Sequence, residues 1–274
     1  MPTPFYHLSI AQDLITHPEL SPDLCRFLQE QAGPFLLGNT APDVQVISGQ
    51  SRQATHFFPV PVQSEAQVPW ERLLVEYPGL VHSADLQPSR AALIAGYLCH
   101  LQADWLWVLN IFQPVFGPHQ TWDTFSKRLY LHNVLRAYIE VDVVQSLSPD
   151  LMKRLIPTQP AGWLPFIKDI HLNEWRDYLV YQLQPGRDVK TVEVFASRHG
   201  IEVGEFHTLI QSEARMEEHV FNRIARLRLD TYRRQLVEKN VELLQDYLDR
   251  TLIPGSQSEE RSSSYTHNFD RSAL

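Results

Sequence analysis

The sequence predicts an all-α protein, a multi-helix bundle with a C-terminal helical extension. Three observations carry this. Apolar residues recur at helical spacing through most of the 274 residues, alternating apolar and polar runs are scarce, and helix-start signals such as Ser21-Pro22 stand ahead of periodic stretches. With 43% hydrophobic residues the chain can bury a large core.

The run Phe5-Tyr-His-Leu-Ser-Ile-Ala11 reads as the first helix, with His7 placed to face the core. After Ser21-Pro22, Leu24, Phe27 and Leu28 carry a second helix to about residue 31. Residues 33–67 are rich in Pro, Gly, Ser and Thr without a sustained period, which predicts a long irregular connection. Connections of that length inside a compact domain are usually functional. Residues 70–76 read as a short helix closed by Pro78-Gly79, and residues 88–112 as a long buried one stopped before Pro114. Residues 123–147 make the next, with Asp123 near its N-terminus.

Pro149, Pro157, Pro160 and Pro165 then break the pattern and bridge to a second helical half. Its helices are predicted over 166–183, 189–199, 203–213 and, with mixed charge, from about 214 to 252. The chain thus divides into a metal-site helical domain (1–148), a C-terminal helical region packed on it (149–253) and a tail (254–274) whose Ser, Glu and Arg content predicts disorder. No internal repeat is present.

A net charge of -8, with no basic stripe beyond the mixed run 223–234, does not fit nucleic acid as the main partner. Cys25 and Cys99 lie far apart and form neither a disulfide framework nor a metal knuckle. The opening MPTPFYHLSIAQDL lacks the basic and apolar regions of a secretory signal, so a cytoplasmic location is expected. The most apolar window, 91–112, contains His100, Gln102, Asp104 and Asn110 and reads as a core helix, with no transmembrane segment.

Within that window, GYLCHLQADWLW sets His100 and Asp104 four residues apart, on one face of a helix. Two buried ionisable groups either satisfy each other by a hydrogen bond or share a cation. Upstream stand His7, Asp43 in GNTAPD and His56 in ATHFF. Each has an ordinary reading, as a helix-end donor, a turn former and a satisfied loop histidine. Together with the helical pair they also form a donor set of the kind that holds zinc.

In order and context this set resembles the zinc-dependent phospholipase C family, related in fold to the P1-type nucleases, over about residues 1–140. The resemblance implies an all-α scaffold of that type in which His7, Asp43, His56, His100 and Asp104 are metal ligands. It further implies that Asp104 bridges two zinc ions and that Asp43 is a candidate general base. The chain departs from the family at three places. It begins Met-Pro where secreted members use a processed tryptophan amine as ligand, it has Asn110 where a further histidine stands, and its His132 is followed by Arg136 where the family has HxxxE.

A guanidinium cannot ligate zinc, so one or two ions are expected and a third site is lost at Arg136. His132 is expected to face the metal pocket. Arg136 either binds a substrate phosphate or pairs with Glu140. Two functions follow from this. One is a zinc-dependent hydrolase of phosphate esters, phospholipids among the candidate substrates, in which Asp43 and Arg136 are catalytic. The other is a non-catalytic helical binding protein that retains a structural metal site. Oligomeric state is left open.

Overall fold

The computed structural model describes residues 1–63 and 66–248. The tail expected to be disordered, and the residues after 248 to which the last helix was expected to extend, lie outside the described residues. Among the described residues the chain is all-helical, with no strand.

Helix α1 (Pro4–Ile15) opens on Thr3, whose Oγ1 accepts from the Tyr6 amide, with Pro4 in the first turn. Helix α2 (Pro22–Glu30) starts on the Ser21 cap as the sequence predicts. The segment expected to be an irregular connection is different: it folds into α3 (Ala32–Gly38), a 3-10 turn (Ala41–Val44), α4 (Gln45–Ser48) and α5 (Arg52–His56). None exceeds two turns, so no period develops that a sequence window could register. Then come α6 (Pro69–Glu76) and the central helix α7 (Pro88–Trp107).

Apart from its first three residues α7 is buried all round, as befits a core helix. It runs on as a π-helical segment, Val108–Phe116, past Pro114, where a stop was expected. Within it the Asn110 carbonyl accepts from Arg228 Nε–H at 2.7 Å. By length and composition the span Pro88–Phe116 could cross a membrane, but 94% of its most apolar window is buried inside the protein.

Helix α8 (Phe125–Ser146) is capped by Thr124 rather than by Asp123. Helices α9 (Asp150–Leu155), α10 (Asp169–Gln182), α11 (Thr191–His199) and α12 (Val203–Ile210) follow. The predicted long last helix is broken. α13 (Glu213–Met216) passes through a π turn (Glu217–Phe221) before α14 (Arg226–Leu248) begins. Arg226 ties the break, stacking on Phe221 at 3.6 Å and pairing with Glu217 at 2.7 Å.

α14 packs back on α7 and α1, α10 packs on the turn Ala41–Val44, and α11 packs on α8, so one core contains residues of both halves. α3 crosses α7 at backbone contact. A methyl built on Gly38 would overlap the Leu93 carbonyl, and one on Gly96 the Phe35 carbonyl. This close approach sets the C-terminus of α3 against the turn of α7 that carries His100.

Candidate metal centre

His100 and Asp104 are 0% and 1% exposed on successive turns of α7. His100 Nδ1 lies 2.7 Å from the carbonyl oxygen of Asn39, the residue that ends α3. A carbonyl only accepts, so Nδ1 carries the ring proton and the neutral ring leaves Nε2 as a bare lone pair. Burial above all, and then His7, pushes His100 down to about 3, so it stays neutral at physiological pH.

His56 ends α5, which is capped by Ser51 and stopped by Phe57 in the left-handed region at φ 62°. A phenylalanine there costs about 1 kcal/mol or more. Its ring is held edge-on by Tyr77, Tyr97 and Phe166. Thr55 fixes the His56 tautomer. Its hydroxyl proton goes to the Arg52 carbonyl at 3.2 Å, so its Oγ1 can only accept from His56 Nδ1, 2.9 Å away. With Nδ1–H turned to Thr55, His56 presents its Nε2 to the cluster.

The Nε2 atoms of His56 and His100 face each other at 3.3 Å. His56 Nε2 is also 3.3 Å from Asp104 Oδ2 and 3.6 Å from Asp43 Oδ1. Ligands at ~2.0–2.2 Å around a tetrahedral ion are about 3.3–3.6 Å apart, the separation seen here. On the other side, His7 of α1 stacks on His100 with centroids 3.8 Å apart. His7 Nε2 and Asp104 Oδ1 sit 3.5 Å from each other, both buried without a hydrogen-bond partner.

Two groups could thus hold a metal ion: Asp43 with His56 and His100, and His7 with His100 and Asp104. Burial would raise both carboxyls. The neighbouring imidazoles, His56 beside both and His7 beside Asp104, outweigh it, holding Asp43 below and Asp104 well below the usual carboxylate range. A neutral His100 and ionised Asp43 and Asp104 are in their metal-binding forms.

Sequence reasoning missed Arg52, whose Nη2 lies 2.8 Å from Asp104 Oδ2 while Nη1 donates to the Phe58 carbonyl. Nothing in its spacing flags it; only the fold of α5 brings it to α7. His132, expected to face the metal pocket, is placed elsewhere. Its Nε2 accepts from Trp107 Nε1 at 2.8 Å, and the ring packs among Trp107, Phe112 and Phe116. With its lone pair spent in an aromatic cage, His132 is corrected from ligand to core residue.

Arg136 does line the cavity beside the cluster, but it makes no ion pair with Glu140 among the described residues. Its Nη1 and Nη2 reach Asn133 Oδ1 and the Pro2 carbonyl, and its Nε is buried without a partner. Burial, foremost, pushes its guanidinium down to about 10. Glu140 Oε1 is likewise unpartnered, and burial raises that carboxyl to about 7.

The cavity measures about 190 Å³. Asp43, His56, Asp104 and Arg52 form one wall. The facing wall comes from the second helical half, with Trp175 of α10 and Phe195 and Arg198 of α11 beside Arg136. Met1 also lines it, and burial lowers its amino group well below the ordinary value while Asp104 opposes that shift. In comparison with known proteins, the chain matches no family model, no curated protein and no solved structure.

Proposed function

We propose that the chain is a zinc-dependent hydrolase of phosphate esters, with a helical scaffold of the phospholipase C and P1 nuclease type. One observation carries the metal reading. Two buried polar atoms, His7 Nε2 and Asp104 Oδ1, have no hydrogen-bond partner, and beside them the Nε2 atoms of His56 and His100 face each other at 3.3 Å, the spacing of ligands around one cation. Such a cation supplies Lewis-acid polarisation of a phosphoryl oxygen and lowers the pKa of a bound water towards ~7.

The chain's own residues do the rest. Asp43 is the ligand most open to the cavity, its side chain 17% exposed, and as an ionised carboxylate it accepts the proton of the attacking water. His100 and His56 are locked in tautomer by Asn39 and Thr55 and hold their lone pairs on the reacting side. Arg52 keeps Asp104 ionised and oriented. Arg136, across the cavity, holds an oxyanion of the substrate.

The Arg52–Asp104 ion pair favours a second reading, a non-catalytic helical protein with a structural metal. Two measurements separate the readings: metal content after purification without chelator and zinc re-addition, and turnover of bis(p-nitrophenyl) phosphate. Turnover that tracks zinc supports the hydrolase, and metal without turnover supports the structural site. Less than about 0.3 metal per chain ends both.

A further inference from the structure

The wall that faces the ligand cluster includes Trp175, Arg136 and Arg198, none of which forms an ion pair or hydrogen bond with an acid among the described residues. Trp175 is 1% exposed and lines the cavity, yet its indole N–H is buried without an acceptor. Arg136 is anchored through both Nη atoms and leaves Nε–H without one. Arg198 places its guanidinium 5.9 Å from the ring of Phe195, to which Arg136 stands at 4.6 Å, so one ring carries two like charges. The carboxylates that offset Arg136 are first Asp43 and Asp104, across the cavity, and then Glu140, one turn on along α8.

We infer that Arg136, Trp175 and Arg198 form an oxyanion subsite for a second anionic group of the substrate, separate from the phosphoester at the ligand cluster. This rests on the proposed hydrolase reading and narrows it. The substrate is a small phosphoester that also carries a phosphate or carboxylate, not a diester with a neutral or zwitterionic headgroup. Indole and guanidinium N–H groups suit such an oxyanion, because hydrogen bonds to charged acceptors are the strong ones and both donors are already desolvated.

The test begins on the full chain stripped of metal with chelator, titrated calorimetrically with inorganic phosphate and, in parallel, with acetate. Saturable binding of one or both is expected, and the preferred anion names the second group. Trp175→Phe and Arg198→Gln should each weaken it about tenfold, the value of one charge-assisted hydrogen bond. Arg198 is exposed, so Arg198→Gln carries the test if the indole variant fails to fold. In the zinc-loaded chain, propane-1,3-bisphosphate should bind at least about tenfold tighter than propyl phosphate, and Arg198→Gln should erase that preference. Absence of saturable binding by the stripped chain, unchanged binding in Arg198→Gln, or no preference for the bisphosphate overturns the inference. Binding by the stripped chain that depends on Arg198, in a protein that takes up no zinc, sinks the hydrolase reading and leaves the subsite standing.

Discussion

Thr55→Val tests the tautomer argument on which the metal site depends. The substitution keeps the shape of a fully buried side chain and deletes one hydroxyl. It removes the acceptor that holds the proton on His56 Nδ1, 2.9 Å away, and the donor to the Arg52 carbonyl. Losing the partner that orients a metal-ligating histidine costs about 10–100-fold in metal affinity, or about 1.4–2.7 kcal/mol. Without metal, the same change removes two hydrogen bonds and destabilises the fold by about 1–3 kcal/mol.

The two effects are separable. Zinc affinity is measured by competition with a chelating dye, and stability by thermal melts with and without EDTA. At fixed excess zinc the variant should lose the metal-free penalty plus a further ~1.4–2.7 kcal/mol, because stabilisation by a ligand falls as its Kd rises. Thr55→Ser keeps the hydroxyl and should keep the affinity. If Thr55→Val binds zinc within about threefold of the original chain, then His56 does not need its Nδ1 partner, and the assignment of a bare Nε2 is wrong.

Three further outcomes are expected. His7→Ala should leave the ion held by Asp43, His56 and His100 in place and remove any ion held by His7 with Asp104, since His100 has a single Nε2 lone pair to give; anomalous scattering at the zinc edge would show which peak is lost. Gly96→Ala should destabilise by about 3 kcal/mol, the upper end for overpacking, since the added methyl meets backbone of α3, and it should weaken zinc binding by displacing Asn39 from His100; an unchanged melt would show that α3 and α7 can part freely. Glu140, raised by burial from 4.5 to about 7, binds its proton more tightly folded than unfolded, so stability should fall as pH rises from about 4.5 to 7, by up to about 3 kcal/mol. Glu140→Gln should remove that loss, gaining on the original chain at pH 8 relative to pH 5 in denaturant titrations, and equal slopes for the two proteins would refute the buried carboxyl as the cause.

The long elements were readable because burial leaves a periodic trace. α7 is largely apolar through four turns beyond its first residues, so its start and the shared face of His100 and Asp104 follow from spacing alone, while its continuation past Pro114 does not. The stretch 33–67 was not readable as helix, because α3, α4 and α5 are each stabilised by tertiary contact rather than by their own length. α3 survives as seven residues because Gly38 and Gly96 let two backbones touch, a property of the pair that neither glycine shows alone.

The site divides along the same line. Side chains that recur on one long helix share a face, and those on short elements acquire theirs from whatever the element is pressed against. His132 and Arg136 share an α8 face by spacing, yet the first turns into the aromatic residues at the end of α7 and the second into the cavity. Helical spacing fixes a direction to within a turn, and at the contact of two helices that margin separates a metal ligand from a core histidine. Arg52 shows the converse. It sits in a five-residue helix with no period to read, and it holds the one carboxylate that both candidate metal groups lie against. Its charge was legible and its address was not, because the address is set by Phe57, whose left-handed backbone and three aromatic neighbours turn α5 onto α7.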